Sequence, residues 1–194
     1  MAHEPSGTRR NELTMRSGTR WIPLLFLFAA CAPEPEPETP YGSVDDVSRY
    51  LQAVNPYVQE IGQINARFEE GLGSSTDDQG RRRGTGRNLA EAAEVVQNLL
   101  RHVLGDFEKI EPPPLLAPFH RDTKELILSR LDAYETMSRG WDTQQVGGDF
   151  EPIYRQAESK LEAANALIQR LNSEMLKINT ALQQAGEAQA QASS

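Results

Sequence analysis

Few side chains in this 194-residue sequence are of the types that make or break bonds, and their spacing decides what they could do. The one cysteine, Cys31, stands in residues 24–40, LLFLFAACAPEPEPETP, between an apolar run and a Pro/Glu repeat. Three histidines occur, His3, His102 and His120, and neither of the last two has a Glu three residues before it. That Glu-x-x-His spacing is how a helical bundle holds paired iron. CxxCH and HExxH are also absent, so no metal site and no cofactor are expected. A Ser or Thr nucleophile would need a general base beside it, and no pattern marks one. The expectation is a protein that is not an enzyme.

Two polar constellations stand out. The run GRRRGTGR, residues 80–87, is the one strongly basic stretch in an acidic chain. Phosphate-binding loops need a preceding strand and GK[ST] at fixed spacing, and both are missing. Arg81, Arg82, Arg83 and Arg87 are instead a candidate anion-binding loop working through charge-assisted contacts, or a solvated linker. Asn165, Asn172 and Asn179 repeat at seven, and Asn65 takes a core slot of its own segment. Such amides either line a polar groove or make interhelical hydrogen bonds that set register. His120-Arg121-Asp122 shares its letters with a kinase catalytic loop, but Ile127 stands where that loop holds magnesium with Asn.

The N-terminal segment gives Cys31 its meaning. Arg9, Arg10, Arg16 and Arg20 precede an apolar run over residues 21–30, too short for a helix spanning about 30 Å of hydrocarbon. Charged flank, short apolar run and terminal small residues are the parts of a secretory signal peptide. The sequence Leu27-Phe28-Ala29-Ala30-Cys31 resembles the lipobox of bacterial lipoprotein precursors, with Phe28 where that family usually has Leu. The resemblance implies cleavage before Cys31, lipidation of Cys31 (palmitate among the acyl groups) and a membrane anchor in the cell envelope. Ala32 after the cysteine implies the outer membrane in a two-membrane host, and otherwise the outer face of the plasma membrane. Met1 or Met15 could serve as the start.

Residues 31–42 then read as a lipidated tether. Proline at every second or third position forbids a helix there. Twelve residue steps to Ser43 would reach about 37 Å as extended polyproline II. Removing residues 1–30, with four Arg and two Glu, leaves 16 basic and 26 acidic residues, a net of −10. That balance argues against nucleic acid as a partner. With one cysteine there is no intramolecular disulfide, so a core must hold the fold.

The elements that must position these residues are helices. Val44, Val47, Leu51, Val54, Val58, Ile61, Asn65, Phe68 and Leu72 alternate spacings of three and four, capped by Ser43 with Asp46. Pro56 should kink or split that helix after Asn55. Residues 71–87 read as a flexible loop, and a second helix opens at Asn88 with Glu91 completing a capping box. Three prolines, 112–114, stop it; a third helix starts near Pro118, and a Gly-Gly-Asp turn at 147–149 leads into a fourth of near 35 residues. The expectation is an all-α, antiparallel four-helix bundle over residues 43–186, with the first helix kinked, a disordered leader and tether, and a disordered tail at 187–194. Its expected role is a binding or scaffolding module for an envelope protein partner; the alternative is a carrier of a small apolar or amphiphilic ligand between its helices.

Overall fold

The computed structural model describes residues 37–72 and 86–192. Four helices account for nearly all of them: α1 (Val44–Gly71), α2 (Gly86–Phe107), α3 (Ala117–Gln145) and α4 (Glu151–Ala192), with a 3-10 turn at Pro114–Leu116. Tyr50 of α1 and Phe107 of α2 both meet His120 near the start of α3, so α1 and α2 run antiparallel. Arg130 of α3 bonds to Asn165 of α4 and Asp122 pairs with Arg170, which sets α4 antiparallel to α3. The bundle is the antiparallel four-helix arrangement that the periodicity predicts.

Its packing is uneven. The chain packs in sequence, α1 on α2, α2 on α3 and α3 on α4, while α1 and α4 approach each other at only a few backbone positions. The core is a single cluster in which Val54, Val96, Leu100, Phe107, Ile127, Tyr134 and Ile178 are fully buried. On α4 the buried residues are Ala157, Ala164, Leu171 and Ile178, one in every seven. The alternate row, Leu161, Ile168, Met175 and Leu182, is only half-buried, because that side looks towards the loose α1 seam. A broad apolar stripe normally sinks wholly into a core. Here half of it does not.

Local chemistry explains the helix ends. Ser43 Oγ accepts from the Asp46 backbone N–H at 3.1 Å and donates to the Asp46 carboxylate at 2.9 Å, which caps α1 as its sequence predicts. Pro56 lies inside α1, and the helix continues through it to Gly71 instead of splitting at Asn55. Val54 and Ile61 on either side of it are buried in the core. At the end of α3, Gly147 N–H bonds to the Gln144 carbonyl and Gly148 N–H to the Thr143 carbonyl. Gly147 has φ +72°, so this is a Schellman stop that only glycine makes without strain.

Four expectations are corrected. α2 begins at Gly86, two residues before Asn88, and Glu91 accepts from Arg87 Nε at 2.8 Å instead of closing a capping box. Gly86 suits the start of the helix because an added Cβ would run into Gln144 Oε1 and the Trp141 ring of α3. α4 has 42 residues, not 35, and its helix runs to Ala192 through most of the expected tail. The end of the expected tether is paired rather than extended: Glu38–Thr39 and Gly42–Ser43 form a short antiparallel hairpin, and Val44 N–H bonds to the Pro37 carbonyl at 3.1 Å. Tyr41 at its turn donates to Glu174 of α4 at 3.1 Å, a contact that no periodicity in a proline-rich segment announces. Residues 1–36, with the signal peptide and Cys31, lie outside the described residues, as do Arg81, Arg82 and Arg83.

The uneven packing predicts uneven sensitivity. Leu100→Ala should cost about 2–5 kcal/mol in urea denaturation. Leu176→Ala, at a residue 69% exposed, should stay within about 0.5 kcal/mol. Equal losses would contradict this placement of the core.

Candidate functional site

The seam between α1 and α4 opens into a cavity of about 240 Å³. Val58, Ile61, Gly62 and Asn65 of α1 form one wall; Ile168, Leu171, Asn172 and Met175 of α4 form the other. Phe119, Thr123, Leu126 and Arg130 of α3 complete it. The apolar residues follow from the stripes: Ile61, Phe119, Leu126 and Leu171 are buried, Ile168 and Met175 half-buried and Val58 exposed, at a seam where α1 and α4 meet at few positions. Gly62 widens the opening. A Cβ there would meet nothing within 4 Å, so its lack of a side chain is not forced by packing. Glycine within a helix costs about 0.5–1 kcal/mol relative to alanine.

Among the described residues, one charged side chain lines the cavity. Arg130 is 3% exposed. Its two terminal nitrogens donate to Asn65 of α1, to Asn165 of α4 at 3.0 Å and to the Tyr134 hydroxyl at 3.2 Å. The Nε is buried and has no acceptor among the described residues. The carboxylate of Glu69 on α1 also acts here: after burial, its charge raises the pKa of the Tyr134 hydroxyl that accepts from Arg130. A guanidinium does not shed its proton in a protein, so the charge stays. Other cations of the bundle do meet carboxylates on neighbouring helices: Arg101 with Glu135, Lys160 with Asp132, Arg170 with Asp122.

The asparagine expectation resolves into both of its alternatives. Asn65 and Asn165 make bonds between helices, through Arg130, while Asn65 and Asn172 line the cavity. Asn179 is exposed. Arg130 itself is hidden in the sequence by its type. It falls four residues after Leu126 and four before Tyr134, on the buried stripe, where an arginine is ordinarily assigned to the surface. Arg87, the one described member of the basic loop, is exposed and paired with Glu91 of its own helix.

The two histidines of the bundle lie apart. His102 is exposed beside Asp106. His120 stacks on Phe107 with ring centroids 4.3 Å apart, and its Nδ1 lies 3.2 Å from the Tyr50 hydroxyl. Burial, and then the charge of Lys124, push its pKa below the ordinary histidine value. Burial likewise pushes the Tyr50 and Tyr134 hydroxyls upward. Among the described residues no three His, Cys, Asp or Glu side chains gather to hold a metal ion, and no helix is long and apolar enough to cross a membrane. Comparison with protein-family models, with curated proteins and with solved structures finds no match.

His120 makes the bundle sensitive to acid. With its folded pKa lowered, the folded chain binds fewer protons than the unfolded one. Its contribution to stability is complete above the unfolded value of about 6.5 and is lost as pH falls below it. Between about pH 7 and pH 5 the wild type should lose more melting temperature than His120→Phe, which keeps an aromatic ring but takes no proton. Parallel losses would remove this role.

Proposed function

We propose that this protein is a lipid-anchored envelope protein whose bundle binds a small apolar or amphiphilic molecule in the groove between α1 and α4. The observation that carries the reading is the groove itself, an opening lined from three helices by Val58, Ile61, Phe119, Leu126, Ile168 and Met175. Ligand sites are concave and mainly apolar, with a few placed polar groups, and typically occupy about 300–1,000 Å³. This one lies just below that range, which suits a small ligand. A flat docking face for an envelope protein has less support. Apart from Val58 in the groove itself, the exposed large apolar residues, Val95, Leu115, Leu128, Val146 and Leu176, are scattered over α2, the turn before α3, α3, the α3–α4 connection and α4.

The anchor rests on the lipobox resemblance around Cys31, and a tethered carrier near a membrane has amphiphiles within reach. Acyl chains contribute about 0.8 kcal/mol per buried CH₂, enough for two or three to hold a protein firmly. Cys31→Ala should therefore move the protein from the membrane fraction to the soluble fraction and abolish metabolic labelling with palmitate. Retention of both in the variant would reject the anchor. For the groove, Gly62→Phe fills open space without backbone strain, since Gly62 has no close neighbour. It should keep the melting temperature and lose binding of a fluorescent fatty-acid analogue. Undiminished binding would move the ligand elsewhere.

A further inference from the structure

We infer that Arg130 is an anion subsite within the groove, and that the ligand is a single-chain or compact amphiphile carrying one carboxylate. This rests on the groove reading above and gives it a chemical class. Arg130 is held out of water at 3% exposure and meets only neutral acceptors, the Asn65 and Asn165 side-chain carbonyls and the Tyr134 hydroxyl. Its Nε is buried without a partner among the described residues. Burying a cation without a counter-charge is unfavourable, and native proteins ordinarily pair it. What Nε lacks is an acceptor, and a ligand carboxylate would supply one together with a negative charge.

The surroundings narrow the class. A guanidinium binds a planar carboxylate through two parallel N–H groups, a match that a point charge lacks. No second cation among the described residues lines the cavity, so a phosphate monoester would bring more charge than the site can balance. The remaining wall is mostly apolar, which calls for a hydrocarbon body behind the charged end. A volume of about 240 Å³ is small for a lipid with two acyl chains. Asn65 and Asn165 approach the guanidinium from α1 and α4, so they act as positioning residues that hold it in place.

The test compares decanoate, methyl decanoate and 2-naphthoate on the full chain carrying Cys31→Ala, by calorimetry and melting temperature. Decanoate should bind about tenfold or more tightly than its neutral ester, because the ester cannot supply the charge. Binding of 2-naphthoate in preference to decanoate would identify a compact acid as the source, and the reverse a chain acid; either order supports the subsite. Arg130→Met should reduce the acid-to-ester ratio to about one while the ester still binds. An undiminished ratio in folded Arg130→Met overturns the subsite. Equal wild-type affinity for acid and ester also overturns it and leaves the groove reading standing, so the comparison decides the matter even where Arg130→Met does not fold. Failure of all three probes on wild type overturns both readings.

Discussion

A permanently charged guanidinium is held out of water by three helices, and much of the bundle is arranged around that fact. Arg130 sits on α3, which packs closely on α4 but hardly on α1, and α1 and α4 themselves meet at only a few positions. Its bonds to Asn65 and Asn165 link α1 and α4 through one side chain. Replacing it with a hydrocarbon would remove a buried charge, yet would also free the two outer helices from their shared polar partner. A core selected only for stability has little reason to keep such a residue, because apolar replacements of buried ionic groups are often neutral or stabilising.

The openness of the α1–α4 seam follows from side-chain size as much as from charge. Ala157 and Ala164 in the buried row of α4 let that helix lie close against α3, as does Gly140, whose added Cβ would meet the Tyr154 ring at 2.8 Å. Drawing α4 towards α3 takes it away from α1, while Gly71 draws α1 towards Ala92 of α2. Small residues thus pull the outer helices in opposite directions. Regions with few apolar contacts open at lower free energy than the rest of a domain. The seam is where this bundle has them.

The four stripes, the Ser43 cap and the glycine turn after α3 are legible in the sequence because each depends on neighbours within one or two turns. What is not legible depends on distant partners. The start of α2 at Gly86 depends on a close approach to Gln144 and Trp141. The hairpin at residues 38–43 depends on Tyr41 finding Glu174, 133 residues away. The extension of α4 to Ala192 is hard to read because a polar Ala/Gln segment has helix propensity but no buried face to announce it. Arg130 is the sharpest case. Its position on the stripe is visible, its identity argues for solvent, and only its buried Nε without an acceptor among the described residues makes it informative.

The hairpin at residues 38–43 bears on mechanics. Its first strand lies against α4 and its second leads directly into α1, so it fastens the two walls of the groove to each other at one end. Pulling on the chain ahead of Pro37 would load the Val44–Pro37 bond on the α1 side and the Tyr41–Glu174 bond on the α4 side. Both rims would take the strain together, and separation of α1 from α4 would pivot about this fastening. The groove is hinged where the chain enters the bundle, and its free edge is the opposite one.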